Sequence, residues 1–423
     1  MSEHTYAPVR FKTPVDQVVF KVTFEVITPV FGGGVHIDPN KTHVKDIDPI
    51  TPVRGNGVRG QLRFWWRATH GCLAESIDAM RKAEDVLWGN ASTPGRVHFR
   101  LTQGNQKPTK LLHTDYKCLY ASFPLRRDRK TQEGPTDADL WEVKGTFELI
   151  LTAPRGNDNE SGHGPSLREQ LQRTLQAWLL FGGVGGRTRR GFGALKCTEF
   201  TVDSADEQVP SPSDFMAAYA APQQSLSGVP SLHGAQCEFS SQAVGKAESA
   251  HQNGIAKLRD FRQGPNLGRN PGKGNFPGRS RWPEPDQIRR LEKTHARKHP
   301  PEHSVQKFPR AHFGMPIIFH FKDKGERGNR DPNDTTLKPR RFERLASPLI
   351  LRPFADGTNG YRCLALVLRN SYPQGLQVEL NNHPVEIDLS PQEADSISPI
   401  REKMPPTACL PAPLAAFLNY FKS

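Results

Sequence analysis

Residues 181–193 read Phe181-Gly-Gly-Val-Gly-Gly-Arg187-Thr-Arg189-Arg190-Gly-Phe-Gly193. Upstream, residues 167–181 set Leu171, Leu175, Trp178 and Leu179 at helical spacing, and Gly182-Gly183 stops that helix. Downstream, residues 194–201 read as a strand. The stretch is no Walker loop, because no Gly-Lys-Ser/Thr follows. Nor is it a dinucleotide fingerprint, which joins a strand to a helix rather than a helix to a strand. Its glycines suit tight turns and close backbone approach. Arg187, Arg189 and Arg190 on such a loop would cradle an anionic backbone. The plain alternative is a glycine-rich linker with solvated charges.

Working outward, residues 18–28 alternate apolar and polar from Phe20 and are rich in β-branched side chains, which predicts a strand ended by Pro29 and Gly32-Gly33-Gly34. Residues 57–73 and 77–87 predict helices, and 96–101 and 146–151 predict strands. With the elements beside the glycine-arginine loop, the order is strand, helix, strand, strand, helix, strand. That is the βαββαβ order of the ferredoxin-like fold, also used by RNA-recognition modules. The fold class expected is α+β.

At 423 residues the chain has room for two to three domains. The reading places an N-terminal unit at 1–202, a Ser-, Pro- and Ala-rich linker at 203–230 and a C-terminal unit at 231–423. A basic Gly/Pro-rich insertion runs over about 257–310. Residues 251–310 hold 14 Lys or Arg against 5 Asp or Glu, so nine of the net +13 charges lie there, and part of the stretch is expected to order only on a partner. A short helix at 286–298, strands at 316–321, 349–353, 362–368 and 377–380, and a closing helix at 414–421 complete the second half.

Only 35% of residues are apolar, and lysine plus arginine outnumber acids 57 to 44. Such a balance points to a polyanionic partner, nucleic acid before all others. No stretch reaches the length of a membrane span, the start lacks a signal-peptide core, and the six cysteines are scattered without a Cys-x-x-Cys pair. A cytoplasmic protein with free thiols, no cofactor, no metal and no membrane partner is expected.

The second motif is Arg54-Gly-Asn-Gly-Val-Arg59-Gly-Gln-Leu-Arg63-Phe-Trp-Trp-Arg67. Arg59, Arg63 and Arg67 stand four apart and so form one stripe on a helix. Guanidinium forks at a helix start suit phosphate oxygens. The competing reading pairs these arginines with acidic residues. Trp65 and Trp66 fall on the apolar arc and are read as core.

These residues resemble the RAMP superfamily of CRISPR proteins, whose glycine-rich loop precedes the last strand of a ferredoxin-like domain. More narrowly, four stretches resemble the first subunit of the type III-B Cmr effector complex. They are Thr28-Pro-Val-Phe-Gly-Gly-Gly34, Arg54 to Arg67, Arg279-Ser-Arg-Trp-Pro-Glu-Pro285, and Pro309-Arg-Ala-His-Phe-Gly-Met-Pro-Ile317 together with Arg344-Leu-Ala-Ser-Pro-Leu349. The resemblance implies two RAMP domains packed about a basic cleft. It implies a place in a multi-subunit ribonucleoprotein of antiviral defence, among other Cmr/RAMP subunits. There the chain would grip guide RNA–target RNA duplex or single-stranded target RNA near the target's 3′ end, without being the nuclease. Carried over as RNA-binding residues are Gly32, Gly33, Gly34, Arg54, Arg59, Arg63, Arg67, Arg187, Arg189 and Arg190, followed by Arg279, Arg281, Arg310 and Arg344.

Two rival functions stand beside this one. The loop after the first strand holds His36, Asp38, His43, Asp46 and Asp48, and a His–Asp pair could act as base and acid in a metal-independent RNA endonuclease. Alternatively the chain is a structural adaptor whose arginines meet acidic partner subunits. His295, His299 and His303 recur every four residues, but Pro300 and Pro301 interrupt any helical metal-binding face.

Overall fold

The computed structural model describes residues 16–32, 51–104, 108–111, 115–122, 140–155, 165–274, 277–323, 330–357, 360–407 and 409–423. Gly33, Gly34 and the His36–Asp48 loop lie outside the described residues.

The first half begins with β1 (Gln17–Val26) and β2 (Val30–Phe31), then α1 (Gly55–Thr69), α2 (Ile77–Trp88), β3 (His98–Gln103), β4 (Thr109–Leu111), α3 (Leu119–Ser122) and β5 (Leu140–Glu142). It continues with β6 (Thr146–Pro154), α4 (Leu167–Phe181), β7 (Leu195–Val202) and β8 (Ala205–Asp206). Its main sheet runs β3-β6-β1-β7-β8, antiparallel throughout. With β8 set aside, this is the ferredoxin-like order, with α1 and α4 as the two crossover helices. Val18, Phe20, Val22 and Phe24 alternate inward along β1, each fully buried, and Phe24 meets Trp178 of α4 edge-on at 5.3 Å. Ser76 and Ser166 start α2 and α4 by accepting the N–H groups of Ala79 and Glu169, which satisfies donors that a helix start leaves open. Trp65 and Trp66 are buried in this core, as their position on the apolar arc predicts.

The stretch 203–230 is not a free linker. Within it, α5 (Pro212–Ala217) buries Phe215 and Met216, and Tyr219 follows into the same core. After it come β9 (Ser231–Phe239), α6 (Ala247–Gln263), α7 (Glu284–Leu291), β10 (Ile317–Phe319), β11 (Thr335–Pro339), β12 (Leu349–Ala355) and β13 (Tyr361–Arg369). The chain closes with β14 (Val378–Leu380), β15 (His383–Val385), α8 (Pro391–Ser396), α9 (Ser398–Arg401) and α10 (Ala412–Lys422). Strands β12-β13-β9 form an antiparallel sheet. Its order repeats that of the first three strands of the first sheet, with α6 as the crossover and α10 as the second helix. A separate sheet, β10-β11-β14-β15, lies over α7, and β2-β5-β4 form a small third.

The β12-β13-β9 sheet is buried on both faces. Ile350, Leu364, Leu366 and Leu232 face the core shared with α1 and α4, whereas Leu349, Leu351, Cys363 and Val367 face Leu258, Phe261 and Phe417 of α6 and α10. The result is a layered stack: first sheet, helices α1 and α4, second sheet, helices α6 and α10. Helix α6 overturns one expectation. The basic insertion from about 257 begins inside a core helix, with Leu258 and Phe261 buried, rather than in a loop awaiting a partner.

Candidate nucleic-acid interface

The glycine-arginine loop sits where the two halves meet, and its glycines are there for want of space. A Cβ on Gly193, whose φ is +62°, would overlap the Val184 carbonyl, and one on Gly191 (φ +84°) would press on the His251 ring at 2.7 Å. The end of the first strand frames the loop. Thr28 Oγ1 donates to the Gly191 carbonyl at 2.7 Å and accepts from Ala194 N at 2.8 Å, and Gly186 N donates to the Phe31 carbonyl at 2.6 Å. Gly32 (φ +49°) therefore borders the loop directly.

From this frame Arg187, Arg189 and Arg190 project along a 3-10 turn at Thr188–Arg190. Arg187 Nε donates to the Ala121 carbonyl at 2.6 Å, at the end of α3. Arg189 lies over the Phe64 ring at 4.9 Å and donates to the Ser347 carbonyl at 2.5 Å. Arg190 donates to the Leu349 carbonyl at 2.8 Å. From the other side Arg262 of α6 reaches the Tyr120 hydroxyl at 2.8 Å and lies 5.6 Å over Phe313. Arg344 is exposed and repels Arg187. Among the described residues the bonded and stacked partners of Arg187, Arg189, Arg190 and Arg262 are neutral, a carbonyl, a hydroxyl or a ring. Among the described residues no carboxylate stabilises Arg187, Arg189 or Arg190, whereas neighbouring arginines weigh against Arg187 and Arg190. Burial pushes the Arg189 and Arg190 guanidiniums down to about 10. They stay charged at neutral pH, so among the described residues the seam is a concentration of cationic charge with no carboxylate against it. Arg262 is the member that sequence reasoning missed; it was hidden inside the stretch read as a loop.

His251 closes the seam from within. Its Nε2–H donates to the Arg190 carbonyl at 2.5 Å, which leaves Nδ1 to accept from the Tyr116 hydroxyl at 2.9 Å. Burial pushes this imidazole down to about 4, so it is neutral.

The remaining candidate arginines are placed elsewhere. The α1 stripe faces α2. Arg63 Nε meets Glu84 at 2.5 Å, Arg67 meets Glu84 at 2.6 and 2.8 Å, and Arg59 donates to the carbonyls of Trp88 and Gly89. Glu84 is only 2% exposed, so these forks are joined to a buried carboxylate. The stripe lies on one face as the spacing predicts, but that face binds α2 instead of lining an open cleft. Arg54 is the N-cap residue of α1, its carbonyl accepting from Val58 N. Arg279 pairs with Asp286 and Glu302, Arg281 with Glu402, and Arg310 with the fully buried Glu284 at 3.1 Å. Of the sequence candidates, then, the fold gathers Gly32, Arg187, Arg189, Arg190 and Arg344 at one place. It ties the other candidate arginines to acids or backbone, Arg54 holding its place at the start of α1, and Gly33 and Gly34 lie outside the described residues.

The three histidines at four-residue spacing diverge. His303 bonds Asp286 at 2.8 Å, His299 bonds Asp331 at 2.9 Å, and His295 faces the Ala296 carbonyl. His299, Asp323 and Asp331 approach one another closely enough for a metal. However, both Asp331 oxygens already accept from Arg289, at 2.8 and 3.0 Å, so a guanidinium fills the counter-ion's role. Among the described residues, no helix is long and apolar enough to cross a membrane.

In coordinates the chain is similar to Cmr1 from Pyrococcus furiosus in its apo form (TM-score 0.45, 15% identity, covering 85% of this chain and 89% of that one). It is also similar to a chain of the type III-B Cmr-beta structure bound to cognate target RNA (TM-score 0.45, 12% identity, 85% and 96% covered). Cmr6 from Pyrococcus furiosus matches over 42% of this chain and 97% of that one, with a TM-score of 0.22 and 11% identity. No curated protein matches the sequence. The RAMP superfamily model matches residues 23–196, the stretch from the first strand through the glycine-arginine loop.

Proposed function

We propose that the chain is a non-catalytic, RNA-binding subunit of a type III-B CRISPR (Cmr) ribonucleoprotein effector complex, gripping target RNA near its 3′ end in antiviral defence. One observation carries the proposal. Arg187, Arg189, Arg190, Arg262 and Arg344 converge from both halves on one seam, where the first four bond carbonyls and a hydroxyl and, among the described residues, meet no carboxylate. Guanidiniums that no carboxylate among the described residues compensates, beside a tight glycine loop, suit an external anion, and phosphate oxygens match their geometry. The RAMP stretch and the four motifs that resemble the first Cmr subunit support the place in the complex, where other RAMP subunits are the protein partners. The non-catalytic role is supported by the seam's own titratable groups. His251 is buried and neutral with both ring nitrogens engaged, and the Tyr116 hydroxyl is committed to it.

The test is to incubate the purified chain with end-labelled RNA, single-stranded and guide–target duplex, and to separate bound from free and cut from intact. RNA retained and left whole is expected. Failure to retain either RNA would overturn the binding role. Cutting that vanishes in Asp38→Ala or His36→Ala would overturn the non-catalytic one.

A further inference from the structure

The seam has an exposed aromatic at its rim that nothing above uses. Phe342 is 53% exposed, the only phenylalanine or tryptophan among the described residues that solvent reaches over more than half its surface. It stands in Arg340-Arg341-Phe342-Glu343-Arg344, every member of which is exposed. The segment is pinned at both ends. Arg340 N donates to the Gln377 carbonyl at 2.9 Å, and Leu345 exchanges two backbone bonds with Met315, both 3.0 Å. Three residues after Arg344, the Ser347 carbonyl receives Arg189, and Leu349 next receives Arg190. Phe342 is therefore held on a short arch whose C-terminal foot stands on the seam.

An exposed phenylalanine costs free energy in solution. Buried apolar neighbours would explain it as core, and a broad apolar patch as a protein contact. Its immediate chain neighbours are instead three arginines and a glutamate. Aromatic rings interleaved with arginines are the arrangement that takes unpaired bases, the ring stacking on the base while guanidiniums hold the flanking phosphates. A duplex interior cannot use such a ring, because its bases are already stacked on one another.

We propose that Phe342 is a base-stacking residue at the rim of the arginine seam, so that this site takes single-stranded RNA in preference to duplex. The inference rests on the RNA-binding reading above and names the substrate class of that site.

The experiment uses the full chain with a 12-nucleotide single-stranded RNA, the same strand made abasic, and a blunt RNA duplex. Phe342→Ala, Phe342→Leu, Phe342→Trp and Arg344→Ala are compared with the unaltered protein. Phe342→Ala should weaken the single strand by about 5- to 150-fold and leave the abasic strand and the duplex unchanged. Phe342→Trp should restore binding, and Phe342→Leu should not. If Phe342→Ala binds the single strand as the unaltered chain does while Arg344→Ala weakens it, stacking is wrong and the seam reading stands. If leucine restores binding as well as tryptophan, the contact is apolar and stacking is again wrong. If no RNA binds the unaltered chain, both readings fall.

Discussion

Arg352 of β12 donates to the carbonyl of Gly182, at the end of α4, over 3.0 Å and 170 residues of chain. The same guanidinium takes the Leu179 carbonyl at 2.9 Å and the Leu195 carbonyl at 2.5 Å, and it is fully buried. Among the described residues no carboxylate partners it. What it meets is the negative end of the α4 dipole and carbonyls that the helix cannot satisfy itself. Burial still pushes it down to about 9. The position of the glycine-arginine loop between α4 and β7 thus depends on a residue of the second half.

Replacing Arg352 by methionine leaves three buried carbonyls without donors, at about 1–3 kcal/mol each. The expected loss is at least about 3 kcal/mol in urea unfolding. Arg352→Lys should recover only part of it, since one ammonium lacks the fork that spans three acceptors. A methionine variant as stable as the unaltered chain would contradict the clamp.

His251 makes stability depend on pH. Its pKa is lowered from the usual imidazole value to about 4 by burial. The unfolded chain therefore binds a proton near pH 6.5 that the folded chain refuses until about pH 4. Stability should be full above pH 6.5 and fall by about 3 kcal/mol as pH drops to 4. In His251→Gln this step should vanish from urea midpoints measured between pH 7 and 4. Asp286, whose carboxyl is held well below its usual range by bonds from His303, Glu302 and Arg279, acts in a lower window. Its contribution is lost only as pH falls below about 4, toward its depressed folded value.

Glu84 gathers Arg63 and Arg67 onto α2. Glu84→Ala removes the carboxylate that the two part-exposed guanidiniums share and should cost about 1–3 kcal/mol. Arg63→Ala should lower the melting temperature too, and the double variant should lose less than the sum of the two. Additive losses would show that the pair is not coupled.

Two α1 glycines separate packing from other needs. Gly57 and Gly60 are exposed, and a Cβ on either would meet nothing within 4 Å. Gly60→Ala should therefore stabilise the chain by up to about 1 kcal/mol. Gly193→Ala, which must overlap the Val184 carbonyl at positive φ, should prevent folding or nearly so. Circular dichroism melts on both variants settle the contrast.

The first sheet was legible because its signals are local and strong. Helix α4 falls at 167–181 as its leucines dictate, and β1, β3, β6 and β7 lie within a few residues of their predicted spans. Helix α6 was not legible because the first half of its inner face is built mostly of small residues, with Ile255, Leu258 and Phe261 following only after Gly254. Ala247, Ala250 and Gly254 lie against the second sheet, and a Cβ on Gly254 would overlap Cys363 Sγ. Such a face carries no leucine stripe, and Lys257, Arg259 and Arg262 make the segment look like a charged loop. Strand β9 hides in the same way behind Ser231, His233, Gly234 and Gln236. The α1 stripe illustrates the other limit. Spacing fixes which arginines share a face, but only the packing of α2 decides that the face meets Glu84.

The central claim is that the seam at Arg187–Arg190, Arg262 and Arg344 holds a sugar-phosphate strand. Its most direct test is the salt dependence of single-stranded RNA binding, for the unaltered chain and for Arg187→Ala/Arg344→Ala. With three to five phosphates neutralised, log affinity should fall against log salt with a slope of about −2 to −3.5, shallower by about 0.7 for each arginine removed. A slope near zero, or one that the double substitution leaves unchanged, would contradict it.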